Sequence, residues 1–499
     1  MTNQHHFDIL IVGAGNAGLC AAQSALELGA TVGIIEKAPR EERGGNSALT
    51  GHMRFPYNSV EDLIPLIDDP KDEEIEAIRQ KLPSRTEEQL RNEILTTTAG
   101  LADRDLLETH VTNAYDTILW LRNHGHAWAP NLAPTAGNTM QMKGRGYALQ
   151  QRHFANVERA GGQFFYDTAL SRIITDDTGR VTGVETLTPD GKATFTAGAV
   201  ILSCGSFEAN PEMRARYLGV GWDAIKNRGV PYNTGDGLRA AFEIGAMPYG
   251  GYSTAHASPQ DIERPLYTLP SSVPNGGLRT SRYAYPYSIM VNRDGTRFID
   301  EGSDVRGRTY AKMGRAILAQ PGNAAYQIFD RKARAMGLLE DYDRNKATGV
   351  MADTLEQLAD MIGVPGRRLV ETVAEYNVAI QPEGTLDPNP FYLDGKGTRG
   401  LAPEKSNYAI EISEPPFEAF GVTCGITFAF GGLKVDPKTA QVQHTAGRGI
   451  PGLYTAGEML GGLWHGNYPS GSGMMAGAVF GRIAGREAAQ AAVAFGARR

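Results

Sequence analysis

Cysteine is scarce: the 499 residues hold three, Cys20, Cys204 and Cys424. They form neither a disulfide framework nor a metal motif. With no CxxCH and no four-cysteine set, c-type haem and a cysteine-ligated iron–sulfur cluster are excluded from this chain. All three read as small buried hydrophobes. A basic excess is missing too. Lys and Arg total 49 against 56 Asp and Glu, a net charge of −7, which speaks against general nucleic-acid binding. Long apolar runs are also lacking. The longest uncharged stretch, Met459 to Gly481, is broken by His465, Asn467, Pro469 and several glycines, and makes a poor membrane span. The opening MTNQHHFDIL has no basic region followed by an apolar stretch, so no signal peptide is expected. The reading is a soluble cytoplasmic protein.

Glycine, by contrast, is abundant, at 60 residues against an average of about 7%. It gathers in short turn-like clusters, as where backbone approaches a ligand closely. Apolar residues make up 41% and charged residues 21%, so a sizeable core is expected and disorder over the whole chain is excluded. The length suits two to four domains of about 150 residues each.

The first forty residues are the most informative. Asp8–Val12 reads as a buried parallel strand, Asn16–Leu28 as a helix stopped by Gly29, and Thr31–Ile35 as a second buried strand ending at Glu36. Between the first strand and the helix lies GxGxxG: Gly13, Ala14, Gly15, Asn16, Ala17, Gly18. Glycines there permit a tight turn and bring a pyrophosphate against backbone N–H groups at a helix N-terminus. Glu36 can accept hydrogen bonds from the hydroxyls of an adenosine ribose. A second glycine cluster, Arg43-Gly44-Gly45-Asn46-Ser47, follows closely. Near the other end come PGLYTAGE (Pro451–Glu458) and Ser470–Gly477. Two distant segments built for backbone approach fit a long cofactor.

Elsewhere, Asp62–Asn123 reads as mostly helical, with Glu73–Gln80 and Glu87–Ile94 as solvated faces. Asp167–Thr186 reads as strands around a turn at 177–180. Ala199–Ser203 is another buried strand, running into Cys204-Gly205-Ser206-Phe207. From about residue 250 to 412 the texture changes, with helices expected at Leu355–Ile362 and Arg367–Asn377. Apolar, glycine-rich sequence resumes at Phe417 and leads to a helix after Ser472. The expected division is 1–249, 250–412 and 413–499, the middle part being an inserted domain.

DILIVGAGNAG with Glu36, RGGNS, AVILSCGSFEANPEM, NTGDG at Asn233–Gly237 and PGLYTAGE together resemble the flavoproteins of fumarate reductase and succinate dehydrogenase, over nearly the whole chain. Within that family, FIDEGSDVRGRTYAK (Phe298–Lys312) and GGLWHGNYPSGSGMMAGAVFGRIAG (Gly461–Gly485) are similar to blocks of tricarballylate dehydrogenase. The resemblance implies an α/β fold: a discontinuous Rossmann-like FAD-binding domain with an inserted α+β capping domain. It implies FAD as cofactor, on Gly13, Gly15, Asn16, Ala17, Gly18, Glu36, Lys37, Gly44, Gly45, Asn46, Ser47, Gly205, Asp236, Gly457, Glu458, Ser472, Gly473 and Met474. Asn46 and Ser47 would lie against the flavin and Glu458 would reach the ribityl chain. The helix starting at Ser472–Met474 would turn its N-terminus to the pyrimidine end, where negative charge grows on reduction. Members with covalent FAD have a histidine where this chain has Asn46, so non-covalent FAD is expected.

The implied reaction is hydride and proton transfer across a CH–CH bond beside a carboxylate or carbonyl. In the family an arginine four residues after a glutamate gives the proton. Here Glu301 plus four is Val305, and Arg306 lies one further, with Arg308 close by. Arg306 is the candidate for proton transfer or carboxylate clamping, and Tyr310 is an alternative base; an ordinary surface arginine is the competing account of Arg306. His256, in Ala255-His256-Ala257, matches a substrate-binding histidine, against a satisfied structural histidine. Three family features are absent. The H-H-T-M-G-G block reads Thr427–Gly432, the arginine of the C-terminal block is Tyr468, and a threonine–glutamate pair is not recognisable around Pro274–Arg282. One carboxylate clamp is thus gone, which disfavours fumarate. Phe428, Phe430 and Trp464 would make the pocket more apolar. Tyr468-Pro469 with Gly471-Ser472-Gly473 also resembles the TYPGGG of 3-ketosteroid dehydrogenases, whose tyrosine polarises a ketone. Arg279, Arg282, Tyr283 and Tyr285 would add donors from the cap, or form a polar inter-domain seam.

Three readings follow: a tricarballylate-like dehydrogenase or reductase, an enzyme of a less charged enone or ketone, and a non-catalytic flavin-binding subunit of a redox complex. The expected partners are a small carboxylate-bearing substrate and a separate electron-transfer protein or quinone, with oxygen as another outlet. The membrane iron–sulfur partner of tricarballylate dehydrogenases is the model for the electron-transfer protein.

Overall fold

The computed structural model describes residues 4–130, 140–273, 279–388 and 392–496. Part of the cap stretch around Pro274–Arg282 lies outside them. Along the chain, the elements that position the site are β1 (Gln4–Val12), α1 (Asn16–Leu26), β2 (Val32–Ile35), β3 (Gly191–Leu202), β4 (Pro248–Asp261), α2 (Arg306–Leu318), β5 (Ala324–Phe329), β6 (Phe417–Leu433), β7 (Gly449–Thr455) and α3 (Ser472–Gly496).

β1 lies between β2 and β3, parallel to both, and β7 continues the sheet beyond β3. Ile9, Leu10 and Ile11 are fully buried. This is why the first strand reads as an unbroken apolar run: both faces are covered. β1 begins earlier, and β3 is longer, than the expected strands. The hairpin at Ala169–Thr175 and Val181–Thr188 pairs onto β3. The expected helical stretch from residue 62 resolves into helices Asp72–Lys81, Glu87–Thr97 and Arg104–Asn123. Ile78, Leu90 and Ile94 form their buried apolar side, and the charged faces are solvated except at Glu93, which turns inward to hold Arg54.

The two ends of the chain meet through small residues. A Cβ on Gly481 would lie 2.3 Å from the Ala17 carbonyl oxygen, and one on Gly485 2.2 Å from that of Ala21. Only glycine lets α3 approach α1 so closely. The pairing runs in the same direction along both helices, so their N-termini lie together, and Asn16 Nδ2 donates to the Met474 carbonyl at 2.9 Å.

The second sheet has six strands. β4 and β5 run antiparallel along β6, and Gly349–Ala352 and Lys226–Asn227 also pair with it. β6 lies beyond position 412, where the base of the molecule was expected to resume, and it pairs with β5 and Gly349–Ala352 from the expected inserted part and with Lys226–Asn227 from before it. Bulges fall between Gly251 and Ala255 on β4 and at Thr427 on β6. Such irregularities re-aim side chains, and here they flank His256 and Phe428. Gly314 brings α2 onto β4: a Cβ there would lie 2.6 Å from the Ala257 backbone.

Candidate active site

One cavity of about 840 Å³ runs from the glycine turn after β1 to a chamber under the second sheet. Its first half is a cradle built from the ends of β1, β2 and β3 and the N-termini of α1 and α3. Gly13 has φ +96°, and a Cβ there would lie 2.5 Å from Cys204 Cα; one on Gly18 would lie 2.2 Å from the Gly13 oxygen. These two glycines serve the fold. Gly15 differs, since its Cβ would meet only Ser47 Oγ, at 3.6 Å, and would otherwise point into the cavity. α1 has no side-chain cap from Gly15, and beyond the Asn16 N–H, which goes to Ser47, the N–H groups of its first turn are available to an anion.

Glu36 is buried and lines the cavity. Its carboxylate accepts N–H bonds from Ala14 at 2.8 Å and Ala38 at 2.9 Å, and burial raises its pKa against their pull. Each oxygen retains a lone pair for a ribose hydroxyl. Lys37 Nζ pairs with Asp236 at 2.7 Å and also bonds Thr234. Ser47 Oγ accepts from the Asn16 N–H at 3.1 Å. Asn46 is a hub: Nδ2 donates to Glu208 and to the Thr427 carbonyl, each at 2.9 Å, and Oδ1 accepts from the Val230 N–H at 2.9 Å. Glu208 and Glu458 are hydrogen-bonded to each other in the interior. Burial raises both, and the neighbouring carboxylate adds to the rise at Glu458, so this residue holds a proton. An open glycine, an acid at the second strand end and two helix N-termini on one elongated cavity together fit FAD.

Most of the expected cofactor residues border the cavity, including Gly45, Gly205, Gly457, Gly473 and Met474. Gly18, Gly44 and Ser472 do not. Gly18 packs the turn, Gly44 makes a left-handed step with φ +106°, and Ser472 is buried at the start of α3. Each stands one layer behind the wall. Cys204 is also corrected: it is only partly buried and faces the cavity, with its thiol pushed up to about 12 by burial.

The chamber is aromatic. His256 on β4 lies edge-on to Tyr310 at 4.8 Å and to Tyr468 at 5.3 Å, and stacks on Phe428 at 5.2 Å. Trp464 meets Tyr468 at 5.1 Å, and Tyr283 meets Tyr310 at 5.3 Å. Burial, with the charge of Arg228, holds His256 well below the imidazole range, so it stays neutral. Its Nδ1 is buried without a partner. The Tyr468 hydroxyl oxygen accepts the Gly473 N–H at 2.6 Å, which leaves its own proton to donate.

Arg306 opens α2 and borders the chamber, its guanidinium over the Tyr283 ring at 5.4 Å. Arg308 turns away to Asp304 at 2.6 Å, and Arg282 is buried against Asp261, so neither belongs to the chamber. Tyr285 bonds Thr309 in the core and likewise stays outside. Phe430 packs behind Phe428 at 5.5 Å. Sequence reasoning missed Arg228, Glu208 and His52. Glu208 carried a signal, as an acid at the exit of an apolar strand; Arg228 and His52 carried none.

The chain matches the FAD binding domain family over residues 8–474. It is 30% identical over 500 residues to the fumarate reductase (cytochrome) of Shewanella frigidimarina, covering 97% of this chain and 77% of that protein. Vinyl phenol reductase of Lactiplantibacillus plantarum is 26% identical, with 97% and 96% covered. The open conformation of a flavocytochrome c3 fumarate reductase superposes with a TM-score of 0.75 at 24% identity, covering 98% of this chain and 79% of that one, which speaks to fold. The chain belongs to the FAD binding domain family. It is an FAD-dependent oxidoreductase of the fumarate reductase-like type, with a capping region over a Rossmann-like base.

Proposed function

We propose that this enzyme makes or saturates a carbon–carbon double bond beside a carboxylate or carbonyl. The observation that carries the reading is the continuity of the cradle with a chamber where Arg306, Tyr310, His256 and Tyr468 converge. FAD, when bound, supplies hydride chemistry at its ring N5. Tyr468 donates a hydrogen bond to a substrate oxygen and so stabilises negative charge there, its hydroxyl polarised by the Gly473 N–H behind it. His256, neutral, donates a second hydrogen bond. Arg306 or Tyr310 moves the proton at the carbon beside the one that exchanges hydride. Burial holds the Tyr310 phenol well above its ordinary range, so at neutral pH it is protonated and can give a proton only in the saturating direction; Arg306 also holds charge against the substrate. Closely packed aromatic rings exclude water.

Two finer readings divide the chamber's features. A tricarballylate-like polycarboxylate is supported by the arginines on the cavity, Arg228, Arg279 and Arg306. A less charged conjugated acid, enone or aryl alkene is supported by the aromatic walls, and by Tyr468 where the family has arginine. The name of the vinyl phenol reductase relative points the same way. Non-covalent FAD is proposed, because all three polar contacts of Asn46 go to protein and an amide offers no nucleophile. The electron partner is proposed to be a separate protein or a quinone. Among the described residues no helix is long and apolar enough to cross a membrane. The proposed compartment is the cytoplasm, which agrees with three free cysteines.

The test is an anaerobic panel of fumarate, tricarballylate, an arylpropenoate and a 3-ketosteroid, offered to oxidised and to dithionite-reduced holoprotein. Flavin bleaching or reoxidation by at least one compound is expected. If none changes the flavin, the chain is a cofactor-holding subunit and the reading fails.

A further inference from the structure

Arg228 differs from the arginines around it in how its charge is met. Arg54 is held by both oxygens of Glu93, at 2.7 and 2.8 Å. Arg308 is held by Asp304, and Arg282 by Asp261. Arg228 has no carboxylate partner among the described residues. Its Nη1 donates to Thr427 Oγ1 at 3.1 Å and its Nε to Ser281 Oγ at 3.2 Å. Two neutral hydroxyls fix the plane of the guanidinium and leave three of its five donors unspent.

The backbone delivers this residue deliberately. Lys226 and Asn227 pair with Gly425 and Ile426 on β6, and the Arg228 N–H donates to the Ile426 carbonyl at 2.6 Å. Thr427, its hydroxyl partner, sits in the bulge that separates this pairing from the His256–Phe428 pairing. The same irregularity therefore aims Arg228 and spaces it from the aromatic stack. A half-buried guanidinium without a counter-ion, on the wall of a chamber, is an anion site.

We propose that Arg228 is the carboxylate clamp of the chamber, and that its ligand is a flat monocarboxylate whose unsaturated or aryl body lies among Phe428, Trp464 and Tyr283. This rests on the reading of the site as one for a double bond beside a carboxylate. It replaces the clamp lost where Tyr468 stands. The other cations named at the chamber are poorer seats for a second carboxylate: Arg279 is exposed, Arg306 lies on a tyrosine ring, and His256 is neutral. Planar conjugated acids present one fork of oxygens at one end, which matches one guanidinium fork.

The experiment uses holoprotein and the flavin difference spectrum, with 3-phenylpropenoate and its amide as probes, and with fumarate and tricarballylate alongside. The parent protein is expected to bind the acid more tightly than the amide and than either polycarboxylate. Arg228→Gln is expected to weaken the acid about 100-fold while moving the amide by about threefold or less, and Arg228→Lys is expected to fall between. Equal weakening of acid and amide, no weakening of the acid, or tighter binding of a polycarboxylate by the parent overturns the proposal. Loss of FAD from both variants assigns Arg228 to the cofactor and overturns it as well. The underlying reading fails separately: a parent that binds the acid selectively, yet is neither bleached nor reoxidised by any alkene or its saturated counterpart, keeps the clamp and loses the reaction.

Discussion

The cradle and the chamber are two halves of one cavity, and they are bonded differently. In the cradle, polar side chains are largely committed to other protein groups: Glu36 to two backbone N–H groups, Lys37 to Asp236, Asn46 to three partners. In the chamber, capacity is left over, at His256 Nδ1 and on the Arg228 guanidinium. A rigid, self-satisfied wall suits a resident cofactor, whereas unspent donors suit a ligand that comes and goes. The price is local stability around the chamber, where a buried unpaired polar atom costs about 1–3 kcal/mol.

The contrast is broken most sharply inside the glycine turn. Gly13→Ala puts a Cβ into the Cys204 backbone in a left-handed conformation, and should cost about 3 kcal/mol or more of stability, with loss of bound FAD. Gly15→Ala should leave the thermal midpoint nearly unchanged while weakening FAD by about tenfold or more, because its Cβ enters the cofactor's space rather than the protein's. Calorimetry and flavin titration separate the two; equal loss of stability in both would show that the turn has no open side.

On the chamber side, Arg306→Ala should lower turnover by about 10²–10⁴-fold with the yellow colour retained. Full activity would remove Arg306 from the site and leave Tyr310 as the proton carrier.

Acid should affect fold and chamber together. Burial holds His52 and His110 down to about 4, from an ordinary value near 6.5. The unfolded chain therefore binds more protons between these values, so stability is full above about pH 6.5 and falls progressively as pH drops toward 4. A thermal midpoint that is flat between pH 7 and 4 would contradict this. The smallest effect is expected at the partly exposed Lys37–Asp236 pair. Lys37→Ala should shift stability by no more than about 1 kcal/mol, and by less at high salt.

The cradle was legible in the sequence because a β-α-β turn compresses its chemistry into contiguous residues: Gly13 to Gly18, then Glu36 one strand later. Even so, a motif does not say which Cα faces the ligand, and Gly18, Gly44 and Ser472 proved to stand behind the wall. The chamber is assembled from the starts of helices, a strand bulge and a loop spread over more than two hundred residues. His256, Arg306, Tyr310 and Tyr468 were reached through family resemblance rather than through spacing. Arg228 follows a two-residue strand whose only purpose is to pair with β6, and no local pattern announces a partner that arrives at position 425.

The parallel seating of α3 on α1 has a temporal consequence. During synthesis the glycine turn emerges more than four hundred residues ahead of Gly457 to Gly477. Over that interval a nascent chain carries half a grip on its flavin. Loading of the cofactor waits for α3, the latch that fastens it.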